Sequence, residues 1–276
     1  VFLMEAYMYR VHPQTLNILN HLSLFDESNE KILIEGSFGF KAEVSSDHRL
    51  RDPLLGGGAI LDVGCYPLSM CKLIAGHLQD LPFAEPKSIS AAGRLDKTGV
   101  DLQSDAHLIF SDQIEAKISC AIDEQLPNKL VISNSDITIA VSDPWHCGQF
   151  HEGKSSIFVN HVSGSIEEIS FDDQVGLFTR EIEHASSCIL NHKIESDFIS
   201  HGDTQSNMFW LDQWRQQMQI VCPKDLIKNS PILESKAFLN QTSELENIAI
   251  PGLNKLASRL ALGCDNQTSE VHAFTM

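Results

Sequence analysis

The chain has 276 residues, of which 42% are hydrophobic and 21% are charged, as in ordinary globular proteins. Its net charge of −17 argues against nucleic acid or a membrane surface as a partner, because binding to phosphate groups needs a local excess of Lys and Arg. Seven cysteines include no C-x-x-C pair, so we expect free thiols in a reducing, cytoplasmic compartment. No segment has the roughly 18 to 20 consecutive apolar residues of a membrane span.

The first 29 residues have the pattern of one strand followed by one helix. The apolar run Val1–Tyr9 predicts a buried strand, and the apolar residues between 16 and 24 predict a helix that ends near Asp26. One strand and one helix are too little for a domain, and the chain starts directly in the apolar run. We therefore expect this segment to be the tail of a domain that begins upstream.

A glycine-rich motif follows the next predicted strand. Alternating apolar residues over 31–41 predict this strand, and the polar stretch 45–53 predicts a loop. Three glycines at 56–58 then precede the apolar stretch 59–75, which has one broad apolar face and predicts a helix. Gly76 is the expected C-terminal cap of that helix.

A series of short strands and two helices make up the rest of the main domain. The predicted strands are 88–95, 106–110, 114–122, 130–133, 137–141, 157–161 and 166–171. Their short links favour antiparallel pairing, because parallel strands need long crossovers. Helices are predicted over 177–191 and 203–220, the second with Asp203 or Thr204 as N-cap. The expected fold class is α+β, with a large, mostly antiparallel sheet and flanking helices over residues 30–225.

The segment Gly56–Tyr66 is the strongest local candidate for chemistry. Asp62 and Tyr66 are four residues apart and share one face of the predicted helix. A carboxylate beside a phenol can orient it and set its proton affinity, as a proton donor or acceptor next to a carbonyl requires. The structural alternative is that Asp62 contributes to the helix N-terminus and Tyr66 is an ordinary core residue.

Two basic segments are candidates for substrate binding. Arg10 and His12 follow the first predicted strand, where α/β proteins often place active-site side chains. His48, Arg49 and Arg51 precede the glycines and are suited to an anionic or polyol group. The structural alternatives are a salt bridge for Arg10, a hydrogen-bonded histidine for His12 and a solvated loop for the other three. The remaining histidines lack metal-ligand spacing, so no metal site is expected.

Several motifs occur in an order that resembles the Gfo/Idh/MocA family, in the branch of glucose–fructose oxidoreductase and dimeric dihydrodiol dehydrogenase. They are M-E-A-x-x-x-R-x-H-P at 4–13, G-S-F-G-F at 36–40, R-L-R-D-P-L-L-G-G-G-A-I-L-D-V-G-C-Y-P at 49–67, G-V-D at 99–101 and F-W-L-D-Q-W-R at 209–215. The resemblance covers about residues 1–225. It implies an N-terminal Rossmann domain that binds NAD or NADP, and a C-terminal α+β domain whose sheet often forms a dimer interface. A homo-oligomer is therefore expected.

The resemblance also implies roles for individual residues. The family's D-x-x-x-Y pattern falls on Asp62 and Tyr66, so Tyr66 is the expected acid/base group and Asp62 supports it. Arg10 matches an arginine near the substrate at the end of the last Rossmann strand. The implied substrate-binding set is Arg10, His12, Phe38, Arg49 and Arg51. The G-x-G-x-x-G loop and the E-K-P segment of the family are absent from the chain, so its cofactor-binding residues are expected upstream of Val1, and the chain alone is expected to be inactive.

The end of the chain resembles a second family. Residues 250–253 (I-P-G-L) and 257–264 (A-S-R-L-A-L-G-C) are similar to the first strand of an aldo/keto reductase. This implies four parts: a Rossmann tail over 1–29, the α+β domain over 30–225, a linker over 226–250 and the start of an aldo/keto reductase domain over 251–276.

Two hypotheses of function follow. In the first, the protein is part of an NAD(P)-dependent oxidoreductase that transfers a hydride at a CH–OH group of a sugar, polyol or diol, with Tyr66 moving the proton. In the second, the domain is a non-catalytic dimerisation or ligand-binding module fused to a downstream aldo/keto reductase.

Overall fold

Eight strands form one mixed sheet. A computed structural model of the protein describes residues 1–25 and 30–220. In chain order the strands are β1 (Ile32–Gly39), β2 (Ser88–Leu95), β3 (Asp101–Ile109), β4 (Ile114–Ala121), β5 (Lys129–Ser133), β6 (Ile137–Val141), β7 (Lys154–His161) and β8 (Ile166–Asp172). They lie side by side in the order β2-β3-β4-β1-β5-β6-β7-β8.

Helices accompany the sheet. The α-helices are α1 (Pro13–His21), α2 (Cys65–His77), α3 (Leu177–Leu190) and α4 (His201–Gln217). A π-helical turn, Ile60–Gly64, leads directly into α2. Short 3-10 turns occur at Met8–Val11, Leu22–Leu24, Arg49–Arg51 and Pro53–Leu55. The α+β class with a large sheet is confirmed.

The pairing of the strands follows the lengths of their connections. Strands that succeed one another over short links, such as β2 and β3 or β5 and β6, are antiparallel as predicted. In contrast, β1 pairs in parallel with β4, with Ile32 opposite Ile114. The long segment between β1 and β4 contains α2 and supplies the crossover that a parallel pair requires.

One face of the sheet forms the core. Along β1, buried residues such as Ile32 and Ile34 alternate with partly exposed ones, and the same alternation is seen in β4 and β5. Most of α2 is buried against this face. The helical stretch Pro53–His77 is long and apolar enough to cross a membrane by length and composition, but 56% of its most apolar window is buried in the fold, as in a core helix.

The strand predicted over Val1–Tyr9 is wrong. Residues 1–7 have no regular structure, and Met8–Val11 is a 3-10 turn. Within the described part of the chain no strand pairs with this segment, so its apolar residues Tyr7, Met8 and Tyr9 are buried by packing and not through a strand ladder. The apolar run correctly signalled burial, but a short apolar run by itself does not distinguish a strand from other buried backbone.

Two predicted caps are also wrong. Gly76 lies inside α2, which ends at His77, and a Cβ on Gly76 would come within 2.4 Å of the Phe83 backbone, so this glycine is required by close packing. The N-cap of α4 is Ser200, whose Oγ accepts a hydrogen bond from the Asp203 N–H at 3.1 Å. The carboxylate of Asp203 instead pairs with Arg10 and Lys72. The predicted helix end near Asp26, the linker and the aldo/keto reductase strand lie outside the described residues.

Candidate active site

The glycine motif begins the helical segment that carries Asp62 and Tyr66. Gly58 has φ = +113°, and a Cβ at this position would come within 2.2 Å of Asp101 Oδ1. The other carboxylate oxygen, Asp101 Oδ2, accepts a hydrogen bond from Ile60 N at 2.6 Å. Because only glycine tolerates both the backbone angle and this contact, Gly58 lets Asp101 satisfy a backbone N–H in the first turn of the segment.

A π turn then sets the position of Tyr66. The turn Ile60–Gly64 contains Asp62, and α2 begins with Cys65 and Tyr66. Pro67 has no N–H, so a regular α-helical hydrogen-bond ladder cannot run through this junction. Gly64 packs so closely that a Cβ would come within 3.1 Å of Cys120 Sγ and of the Trp214 ring. Single π turns inside helices are frequent at functional sites.

The ring of Tyr66 lies among four other aromatic rings. Its centroid is 5.2 Å from that of Phe38, 5.7 Å from Tyr7, 5.8 Å from Tyr9 and 6.4 Å from Trp145. All three tyrosines of the chain therefore meet here. The rings of Tyr9 and Trp145 are completely buried. The cluster fixes the orientation of the Tyr66 ring and keeps water away from most of it.

The hydroxyl group of Tyr66 has no hydrogen-bond partner within the residues that the structure describes, and the residue is partly exposed. Burial raises the pKa of Tyr66, and the nearby Cys65, Asp62 and Glu181 raise it further. The phenol is therefore held protonated by its surroundings, in a position where it is free to donate a hydrogen bond to a bound molecule.

Asp62 and Arg49 form an ion pair beside Tyr66. Arg49 Nη1 lies 2.8 Å from Asp62 Oδ1, and the two side chains are 60% and 18% exposed. The carboxylate is thus turned towards the solvent edge of the site and has a cationic partner. The structure brings together Tyr66, Asp62, Phe38 and Arg49, four of the residues singled out in the sequence, and we call these four residues with Trp145 the Tyr66 site.

The other basic candidates of the glycine-flanking loop do not join this site. Arg51 Nη1 pairs with Asp96 Oδ2 at 2.7 Å, and this aspartate is almost completely buried. His48 caps the 3-10 turn Arg49–Arg51, because its Nδ1 accepts from Leu50 N at 3.3 Å. Both side chains have partners that hold the loop in place, which favours the structural alternative for them.

Arg10 is enclosed in a network of buried polar groups. Its guanidinium donates to Ser69 Oγ at 2.8 Å, to the Phe198 carbonyl oxygen at 2.7 Å and to Asp203 Oδ2 at 2.8 Å. The ammonium group of Lys72 lies 3.3 Å from Asp203 Oδ1 and donates to Asn207 Oδ1 at 2.9 Å. We call Arg10, Lys72, Asp203 and Asn207 the Arg10 network. With a side chain only 2% exposed, Arg10 has the salt-bridge role and is not available to a substrate in this structure.

His12 also has a structural role. Its Nδ1 accepts from Gln14 N at 3.1 Å and caps α1, and its Nε2 lies 2.8 Å from Asp173 Oδ2. Asp173 in turn accepts two hydrogen bonds from Arg180, at 2.7 and 2.8 Å. Burial lowers the pKa of His12, whereas the Asp173 carboxylate acts in the opposite direction. This arrangement favours the hydrogen-bonded histidine over a substrate ligand.

Trp145 and His146 belong to the site region but were missed in the sequence. The Trp145 Nε1–H donates to the Ser37 carbonyl oxygen at 2.8 Å, which fixes the indole beside Tyr66. The His146 ring contacts Phe38 edge to face at 5.4 Å, and its Nδ1 lies 3.6 Å from Asp143 Oδ1. The available signal was the aromatic pair in D-P-W-H, directly after the predicted strand 137–141.

Glu181 was also missed. This residue of α3 is 7% exposed, and its Oε1 has no hydrogen-bond partner among the described residues. Burial raises the pKa of Glu181 to about 7. No sequence pattern signals it, because Glu181 lies more than a hundred residues from Tyr66 and only the packing of α3 gives it a buried environment.

Comparison with known proteins supports the sequence resemblance. The model of the GFO/IDH/MocA C-terminal domain matches residues 30–140. A trans-1,2-dihydrobenzene-1,2-diol dehydrogenase of Xenopus tropicalis is 30% identical over 230 residues, which cover 81% of this chain and 64% of that protein. The human dehydrogenase of the same name is 24% identical over 233 residues, with 82% and 64% coverage. These matches support the Gfo/Idh/MocA family. The chain spans about 64% of the length of these relatives.

Solved structures show the same fold. An aldose–aldose oxidoreductase from Caulobacter crescentus, complexed with glycerol, superposes with a TM-score of 0.63 at 18% identity and covers 79% of this chain and 62% of its own. A 3-ketoreductase from Actinomadura kijaniata, in complex with NADP and TDP-benzene, gives 0.63 at 17% identity, with 79% and 63% coverage. At this level of identity the likeness shows that the fold is shared.

Proposed function

We propose that the protein is an NAD(P)-dependent oxidoreductase, or the substrate-side part of one, that acts on a CH–OH group or the corresponding carbonyl of a sugar, polyol or diol. The observation that carries the proposal is the Tyr66 hydroxyl, which has no partner in the described residues and lies beside the Asp62–Arg49 pair at a π turn. The names of the relatives, diol dehydrogenases, support the substrate class.

Tyr66 is the acid/base group in this proposal. In carbonyl reduction its phenol donates a proton to the substrate oxygen, and in alcohol oxidation the phenolate takes that proton back. The charge of Asp62 raises the pKa of Tyr66 and so favours the phenol. Arg49 offsets part of that charge. The surrounding rings present an apolar wall against which the carbon face of a sugar or diol can pack.

The residues of the site fit the reactive end of a nicotinamide cofactor. NAD or NADP would supply hydride transfer when bound, and Tyr66 supplies the accompanying proton. The partly exposed phenol of Tyr66 leaves a polar group available at the ring-lined face. The sequence contains no G-x-G-x-x-G motif for the pyrophosphate, so we assign only the reactive end to this chain.

The test is Tyr66→Phe in the intact protein, assayed with nicotinamide cofactors and a panel of diols and aldoses. We expect turnover to fall by roughly 10²- to 10⁴-fold, the usual contribution of a general acid or base. Stability should be unchanged, since the lost hydroxyl has no partner. The matched control is Tyr7→Phe, which removes a hydroxyl from the same ring cluster. Equal activity of the two variants would contradict the role of Tyr66 and favour the non-catalytic module.

We further propose that two copies associate through the sheet face that α2 does not cover. A row of partly exposed residues crosses this face, with Val131 opposite Ala140 and Ala140 opposite Phe158. Apolar side chains in the middle of an otherwise polar face are typical of an interface core. Sedimentation equilibrium should give a dimer for the wild type and a monomer for Val131→Glu, and a monomeric wild type would contradict the proposal.

A further inference from the structure

A cleft lies between α4 and the loop that connects α2 to β2. Its volume is about 450 Å³, a size suited to a small molecule. The residues that α4 contributes recur every three to four positions and share one face of the helix: Gly202, Gln205, Ser206, Phe209 and Trp210. The loop contributes Glu85. The cleft shares no residue with the Tyr66 site or with the Arg10 network, so neither of them accounts for it.

The Glu85 carboxylate is held by two side chains of α4. Its Oε2 accepts hydrogen bonds from Ser206 Oγ at 2.7 Å and from Trp210 Nε1 at 2.6 Å. Within the described residues, Glu85 forms no ion pair and its Oε1 has no hydrogen-bond partner. The nearby buried cation Lys72 forms its ion pair with Asp203 instead. Glu85 therefore presents an oriented and exposed negative charge at the cleft.

An exposed aromatic ring lies beside this charge. Phe209 is 54% exposed, and its ring meets that of Trp210 edge to face at 5.3 Å. Because the N–H of the same Trp210 is bonded to Glu85, the two rings and the carboxylate form one unit. A carboxylate and an aromatic ring both attract positive charge, and the ring also packs against the carbon groups on a charged nitrogen.

Charge decides between an ammonium compound and a neutral sugar as the occupant. Either can pack against an aromatic ring, but only a cation gives Glu85 the ionic partner that the described residues do not provide. The net charge of −17 also attracts cations to the protein. The helix dipole of α4 acts mainly in its first turn, whereas Ser206 and Trp210 lie in the second and third turns, so the dipole does not repel a cation bound at Glu85.

We propose that the cleft is a binding site for a small organic ammonium compound. Its positive nitrogen pairs with Glu85, and its carbon substituents pack on the Phe209 ring. Gly202 leaves space for it: a Cβ there would make only ordinary contacts, 3.7 Å from Ser200 Oγ and 3.8 Å from the Phe83 ring, so packing does not require a glycine. Glycine is also unfavourable in a helix, and open space for a ligand is a reason for its presence. The site does not depend on the proposed oxidoreductase activity.

The experiment follows the indole N–H signals of the three tryptophans by NMR while the intact protein is titrated with choline. The Trp210 signal, assigned with Trp210→Phe, reports on Glu85 directly because its N–H is bonded to that carboxylate. We expect this signal to shift with a dissociation constant in the millimolar range, whereas the signals of Trp145 and Trp214 stay in place. The uncharged isostere of choline, in which carbon replaces the nitrogen, should bind about tenfold more weakly or worse, because it lacks the charge.

Two pairs of variants test the charge and the space separately. Glu85→Gln keeps an oxygen that can accept from Ser206 and Trp210 but removes the charge, and it should weaken choline binding about tenfold or more. Its matched control is Glu167→Gln, which changes an exposed glutamate of β8, at the opposite end of the sheet from the strand β2 on which α4 packs. Gly202→Leu fills the cleft and should abolish the shift without lowering the thermal stability, whereas Gly202→Ala should retain binding.

Three results would overturn the proposal. The first is a Trp210 signal that does not move with choline. The second is a shift of the same size with the uncharged isostere or with glucose, which would make the cleft an apolar or a sugar site. The third is a Glu85→Gln variant that binds choline as tightly as Glu167→Gln. The activity of Tyr66→Phe has no bearing on any of these results, so the failure of one proposal leaves the other standing.

Discussion

Buried polar groups have hydrogen-bond partners in the Arg10 network, whereas at Tyr66 and Glu181 they lack them. In the network, Arg10 and Lys72 share the two oxygens of Asp203, and further donors and acceptors complete their hydrogen bonds. In contrast, the phenol of Tyr66 and the Oε1 oxygen of Glu181 lack hydrogen-bond partners within the described residues. Paired buried charges hold the segment before β1 against α2 and α4. Unpaired buried groups have shifted pKa values, which is what proton transfer requires.

The largest effect on stability is expected from removing Asp203. Asp203→Ala leaves two buried cations without their shared partner, and we expect a loss of about 3–5 kcal/mol in the free energy of unfolding. Urea denaturation measures this loss. The control Asp212→Ala changes a side chain of the same helix that is 54% exposed, and it should cost about 1 kcal/mol or less. If both variants lost the same free energy of unfolding, the Arg10 network would contribute no more to stability than an ordinary surface ion pair.

The next effect is a change of stability with pH at Glu181. Burial raises its pKa from the ordinary value of 4.5 to about 7 in the folded protein, so the folded state binds the proton more tightly than the unfolded state. The resulting stabilisation is present below about pH 4.5 and is lost as the pH rises through 7. Between pH 4 and 8 the wild type should therefore lose about 3 kcal/mol relative to Glu181→Gln. Unfolding curves of the two proteins that run parallel over this range would contradict a buried, unpaired Glu181.

The smallest effect on stability is expected at the edge of the Tyr66 site. Arg49 is 60% exposed, so Arg49→Ala should change the free energy of unfolding by about 1 kcal/mol or less. Under the proposed function it should still lower kcat/KM, because Asp62 loses its cationic partner and opposes the Tyr66 phenolate more strongly. Arg51→Ala is the reverse control: it removes the pairing of the nearly buried Asp96 and should act on stability more than on kcat/KM. If both variants changed only the free energy of unfolding, Arg49 would have a structural role in the loop and no role in the Tyr66 site.

Most of the secondary structure could be predicted from local patterns. Alternation of apolar residues located β1, and short apolar runs between polar turns located the strands from 88 to 171. The broad apolar face between 59 and 75 located the helical segment of α2, but its π turn was not predicted. The strand over Val1–Tyr9 was predicted wrongly, because a buried segment without strand structure can have the same short apolar run as a buried strand. The parallel pair β1–β4 was not predicted, because the pairing of distant strands depends on the crossover and not on the strand sequences.

The sequence by itself determined the helical segment that joins Asp62 to Tyr66, since glycines 56–58 and the spacing of four residues are local properties. Only the tertiary structure decided which basic residues join them. Arg49 reaches Asp62, whereas Arg10 is bound by Asp203 and His12 by Asp173. Trp145 and Glu181 likewise depend on the packing of a distant loop and helix. The physical reason is that charge pairing and burial are set by neighbours in space, and the partners of these residues lie far away along the chain.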